Sequence, residues 1–194
     1  MSIVKQYLIG LIQHLNQENK DAFRHVKGAS SEKIQQLLAA YPQTPNTLIE
    51  LLQHVNGTYW QQYDQNQVNV LILGSDVEEF HYGYYLLSTE QMAEERNYSE
   101  SIAERYEEYI DCVEIDAAID LQQPLSERLC FSHCMNNGGT SILYIDFSPT
   151  EQGKAGQIIR YLHDPDSYKV IADSFDEYLK MLIDVDYSFV ESEE

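Results

Sequence analysis

Read from its start, the chain sets apolar residues at helical intervals before it changes to strand chemistry. Val4, Leu8, Leu11 and Leu15, with Ile12 alongside, make a first stripe that the polar run from Asn16 to Asp21 breaks. Ile34, Leu37, Leu38 and Tyr41 make a second, opened by Ser30 or Ser31 as N-cap and ended by Pro42. A third begins with Thr44 as cap and Pro45 at its first position. It carries Leu48, Leu51, Leu52 and Val55 on one face and stops at Asn56-Gly57. Val68 to Leu73 and Gly83 to Leu87 then read as strands, the first ended by Gly74-Ser75-Asp76. From Ser88 to Ile110 the pattern is helical again, with Ile102, Tyr106 and Tyr109 aligned, glutamates between them and a break near Asn97. Val113 to Ile119 is too short and acidic to assign. Strands return at Leu129–Met135, Ile142–Phe147 and Gln157–Leu162. Gly153 and Gly156 bracket one turn, and Asp164-Pro165-Asp166 forms another before a further short strand. Phe175, Tyr178, Leu179 and Leu182, behind Asp173 or Ser174 as cap, complete a closing helix. This order predicts an α+β fold: N-terminal helices, a twisted, mainly antiparallel sheet and a C-terminal helix packed on it.

Composition narrows the function more than the fold. The 194 residues, 43 % of them hydrophobic, suffice for one domain with a sizeable core. That domain is expected to span 1–194, with its core at 31–183, an acidic helical insertion at 88–120 and a frayed acidic tail at 185–194. Twelve Lys and Arg face 32 acids, for a net charge of −20. Nucleic-acid binding rests on neutralising phosphates, so direct contact with DNA, RNA or an anionic membrane is excluded as the main role. A basic protein partner is favoured, although an acidic surface also serves solubility alone. No apolar run approaches the roughly 20 residues of a membrane span. The start lacks a basic, then apolar, leader, and three cysteines suggest no disulfide framework, so a cytoplasmic location is expected.

The stretch from Ser141 to Leu182 carries a recognisable sequence of features. An apolar strand ends in Asp146-Phe147-Ser148-Pro149. It is followed by Gly153-Lys-Ala-Gly156-Gln-Ile-Ile, by His163-Asp164-Pro165-Asp166, and by Ser174-Phe175 with Tyr178-Leu179. Upstream, the helix from Tyr41 to Gly57 ends in Asn-Gly, with Trp60 soon after. Together, from about Ser31 to about Leu182, these features resemble the SUKH superfamily, which groups fungal cell-wall assembly regulators with bacterial immunity proteins. The resemblance marks Asn56, Gly57, Trp60, Asp146, Gly156, Asp164, Pro165 and Phe175 as structural motif positions. It implies a non-catalytic immunity protein that binds and neutralises a polymorphic or contact-dependent toxin, a basic nuclease domain among the candidates. The alternative it implies is an intracellular scaffold or regulator of signalling or cell-wall synthesis. Self-association as a homodimer stays open.

Candidate chemistry is sparse, and no enzyme activity, cofactor or metal is expected. Cys130, His133 and Cys134, with Cys112 nearby, suggest zinc. On a regular strand, however, Cys130 and Cys134 share a face about 13 Å apart, and His133 points the other way. A Cys134–His133 dyad fails on the same geometry, and His81 and His163 lack a signature. Asp146, Asp164 and Asp166 read as turn or cap carboxylates before they read as an acid–base pair or magnesium site. Gly153-x-x-Gly156 and Asn137-Gly138-Gly139 join strands and cradle no phosphate. The partner-binding candidates are Asp76, Glu78, Glu79, Tyr82 and Tyr84, with His81 and Tyr85 beside them. Carboxylates next to exposed aromatics grip a basic surface, although a solvated loop beside a half-buried strand is the plainer reading. Glu94, Glu95, Glu100, Glu104, Glu107 and Glu108 read as the wet face of a helix, and Trp60 as core or sheet-edge packing.

Overall fold

The structure is a computed structural model and describes residues 1–77, 80–134, 141–163 and 165–190. Four helices come first: α1 (Ile3–His14), α2 (Gln17–Phe23), α3 (Ser31–Ala40) and α4 (Asn46–His54). Serines cap α1 and α3, Ser2 accepting from the Lys5 N–H and Ser30 from the Lys33 N–H. The polar run after α1 does not merely break a helix. Asn16 caps α2, a short helix with no fully buried residue. The expected start of α4 moves by one: Pro45 stands at the cap, and the Thr44 hydroxyl donates instead to the Tyr41 carbonyl, at 2.7 Å.

A two-stranded hairpin, β1 (Gln61–Tyr63) and β2 (Asn66–Val68), precedes the main sheet. That sheet comprises β3 (Leu73–Val77), β4 (Phe80–Leu86), β5 (Glu114–Ile115), β6 (Leu129–Cys134), β7 (Ser141–Asp146), β8 (Gln157–Leu162) and β9 (Ser167–Ala172). Their order is β3-β4-β6-β7-β8-β9-β5, antiparallel except for the parallel β5–β9 pair. Between β4 and β5 lie α5 (Thr89–Glu94), a 3₁₀ turn at 95–97, α6 (Ile102–Tyr106) and a second 3₁₀ segment at 107–112. The chain closes with α7 (Phe175–Asp184) and a 3₁₀ turn at 188–190. The fold is α+β, with a mainly antiparallel sheet and a C-terminal helix laid on it.

Each face of the sheet has its own cover. Phe175, Tyr178, Leu179 and Leu182 of α7 are buried, and Phe131 of β6 meets Phe175 and Tyr178 edge-on at 5.4 and 5.9 Å. The opposite face carries Tyr161 and Tyr168, against which Tyr106 of α6 packs. Being covered twice, β8 is buried at every position, Gln157 and Arg160 included.

Two strand expectations shift, and so does that of the tail. Val68 to Leu73 is not one strand: β2 ends at Val68, and β3 begins at Leu73 and runs through Gly74, Ser75 and Asp76. Gly74 is small because the Phe189 ring lies over it, a Cβ there falling 2.4 Å from that ring, and not because the chain turns. The return strand β4 is longer than Gly83–Leu87 suggests and starts at Phe80. The expected frayed tail begins too early, since Tyr187 and Phe189 are buried and Tyr187 donates to the Tyr7 carbonyl at 3.0 Å. Residues 191–194 lie outside the described residues.

Asp146 ends β7 inside the protein. It is fully buried beside equally buried Arg128 (3.5 Å), accepts from Gln157 Nε2 at 3.0 Å, and accepts from the Ser148 N–H at 3.2 Å. The Arg128 guanidinium also donates to the Gln123 and Asp120 carbonyls, so the long 116–128 connection is tied to the sheet through one cation.

Candidate functional site

Trp60 departs from the sequence expectation most sharply. It is 57 % exposed, and its backbone sits at φ 49°, a left-handed conformation that a bulky residue adopts only when its surroundings impose it. What imposes it is visible on both sides. Gly57, at φ 92°, turns the chain out of α4 with its carbonyl held by the Tyr63 hydroxyl at 2.8 Å. Thr58 is buried, its Oγ1 accepting from the Leu86 N–H. The Trp60 N–H then donates to Asn69 Oδ1, and Asn69 Nδ2 donates to the Tyr85 hydroxyl, both at 3.3 Å.

Beside Trp60, the Tyr59 ring lies 5.3 Å from Tyr85 and 5.7 Å from His133, and the Tyr59 carbonyl accepts from Gln91 Nε2 of α5 at 2.9 Å. The corner thus joins the 57–60 loop, the end of β4, β6 and α5. Its acids come from α5, where Glu90 and Glu94 are exposed. Glu90 is held firmly. Burial alone would raise its carboxyl, but bonds from Lys33, its own backbone N–H, Thr89 and Asn56 bring it down to about 2. Asn56, which the sequence offers only as a helix stop, is buried, and its Oδ1 accepts from the Thr89 N–H and hydroxyl at 3.0 and 3.1 Å. It therefore links α4 to the first turn of α5.

The rest of the insertion continues the acidic surface. Ser88 to Asp116 holds ten acids and two arginines, with Tyr98 and Tyr109 exposed at 58 and 71 %. Two acids expected to be wet are engaged: Glu104 closes a capping box with Ser101, and Glu100 accepts from Arg105 Nε at 3.1 Å. A third, Glu95, turns inward, 3.4 Å from His133 Nε2.

The candidates drawn from β3 and β4 fare unevenly. Tyr84 is fully buried, bonded to Ser141 at 2.6 Å, with its hydroxyl pushed well up by burial. It therefore cannot anchor a partner, and that expectation is corrected. Tyr82 is half-buried and packs on the core edge. The backbone of Asp76 is paired with His81, while Glu78 and Glu79 lie outside the described residues. Asp164 also lies outside them. Pro165 is exposed in its turn, Gly156 sits at φ 93°, and Asp166 accepts from the Tyr106 hydroxyl at 2.6 Å.

A bulge in β6 overturns the geometric argument about its cysteines. Cys130 pairs with Tyr144 and Ser132 with Leu143, so Phe131 is the extra residue. Three residues along the chain then count as two in the pleat, and His133, opposite Ile142, falls on the same face as Cys130. Cys134 falls on the other. Glu95 Oε, Cys130 Sγ and a His133 ring nitrogen all lie within 4.8 Å of one another. No Gly or Pro marks the bulge, so nothing in the sequence signals it.

With this geometry in view, comparison with protein families decides the relationship. The family model described as SMI1/KNR4 (SUKH-1) matches residues 28–181. The chain belongs to the SMI1/KNR4 family. The match runs from before α3 to the last turns of α7, and so takes in the sheet, the Trp60 loop and the acidic insertion. No curated protein matches the sequence. Among the described residues, no helix of this SMI1/KNR4 member is long and apolar enough to cross a membrane.

Proposed function

We propose that this SMI1/KNR4 protein is a non-catalytic immunity protein that binds a basic toxin domain through the corner around Trp60. The observation that carries the reading is an exposed tryptophan held in a strained backbone conformation beside Tyr59, Tyr85 and the acids of α5. Tryptophan is the side chain most enriched at energetic centres of protein interfaces, and its neighbours supply a rim. The net charge of −20 supplies the field, which speeds encounter with a cationic surface and can occupy the place of a phosphate backbone in a nuclease cleft. Asp76, Glu78, Glu79 and Tyr82 are proposed as a second, peripheral contact. Tyr84 is not.

Capture from the native organism with tagged protein, washed at rising salt, tests this. The expected result is one basic domain whose toxicity the chain neutralises. Its retention falls with salt, with Trp60→Ala and with Glu94→Lys, and more modestly with Glu78→Lys plus Glu79→Lys. Capture of a stable cytosolic complex indifferent to these changes would replace the immunity reading with the scaffold or regulator role.

A further inference from the structure

We propose that Glu95, Cys130 and His133 form a binding site for a divalent cation of the zinc type, which fastens the 3₁₀ turn after α5 to strand β6. Three donor types converge from two elements: a carboxylate from the turn, and a thiol and an imidazole that the β6 bulge turns to one face. Their atoms lie within 4.8 Å of one another. Bonds of about 2.0–2.3 Å in a tetrahedron set ligands about 3.3–3.8 Å apart, so side-chain rotation closes the set without moving the sheet. Sulfur, nitrogen and oxygen together suit zinc or cobalt and do not suit calcium or magnesium, which take oxygen alone.

A second observation points the same way. His133 Nε2 is enclosed and makes no hydrogen bond, its carboxylate neighbour standing at 3.4 Å, outside good bonding distance. A cation between the two would satisfy both. Cys130 is buried, and burial, with the Glu95 carboxylate near it, pushes its thiol well above the usual range. A bound cation displaces the thiol proton to solvent and holds the thiolate. Three protein ligands leave a fourth position, for water or for a group that a partner brings. The inference does not depend on which protein the chain binds.

Cobalt(II) titration of the full metal-stripped chain tests the proposal. The expected result is one equivalent bound, with a thiolate-to-cobalt charge-transfer band in the near ultraviolet that zinc abolishes by displacement. The band should vanish in Cys130→Ala and persist in Cys112→Ala and Cys134→Ala. Binding should weaken at least about 10-fold in His133→Gln and in Glu95→Gln. These two variants carry the test if Cys130→Ala fails to fold. No band in the parent chain, a band that follows Cys112, or full affinity in both His133→Gln and Glu95→Gln would overturn the site.

Discussion

Arg128 and Asp146 are buried at 1 % and 0 % exposure, and their pairing illustrates how one side chain governs another at this scale. The ion pair itself adds little net stability, because desolvating both groups offsets their attraction. Removing only one partner leaves the other charge buried and alone. Asp146→Ala is expected to cost about 3–5 kcal/mol in urea denaturation, and Arg128→Met in the same chain to return part of that loss. Glu90 gives a pH signature. Its folded carboxyl sits near 2 against an ordinary 4.5, so its contribution is present above about pH 4.5 and is lost as pH falls towards 2. Melting temperatures of the parent and Glu90→Gln are therefore expected to converge across that window and to differ above it. Residues were also where sequence reading reached least far. Trp60 looks like core because tryptophan usually is, and the Gly57 turn, the buried Thr58 and the Asn69 bond hold it outward. Tyr84 looks like surface because it follows the acidic 76–79 stretch, yet it is buried, with the Ser141 hydroxyl of β7 pairing its own.

Whole elements were more legible. α4 and α7 bury the stripes their spacing predicts, whereas α1 buries Val4, Tyr7 and Leu11 and leaves Ile12 exposed. β7 keeps an apolar centre between polar ends and β8 buries Gln157 and Arg160 among apolar residues, so local pattern and tertiary burial agree best at α4 and α7. The failures occur where a long-range contact changes the meaning of a local signal. Gly74 punctuates the sequence like a turn but accommodates Phe189, a residue more than a hundred positions away. The β6 bulge has no marker at all, and it alone brings Cys130 and His133 to one face. The segment after α7 reads as a polar tail, yet Tyr187 stacks near His14 and Phe189 covers β3. Phe189→Ala is accordingly expected to destabilise the fold by about 3–5 kcal/mol, as a buried phenylalanine does; a frayed end would give less than about 0.5 kcal/mol.

At the scale of the molecule, family membership and charge point in one direction. The SMI1/KNR4 match covers α3, α4, the sheet, the insertion and most of α7 together, so the acidic surface lies within the matched region and is not an appendage to it. Covering one sheet face with α7 and the other with the 88–112 segment leaves the insertion's outer side to solvent, bearing most of its acids and exposed tyrosines. Trp60 stands where that surface meets the end of β4. Because it is the only tryptophan, one substitution isolates it for measurement. Incorporating 5-fluorotryptophan places a single fluorine in the chain, and its NMR resonance can be followed as a captured partner is added. The account predicts a solvent-exposed resonance in the free protein that shifts and loses its solvent sensitivity at one equivalent. A resonance unchanged at saturating partner would contradict it and move the binding face away from Trp60.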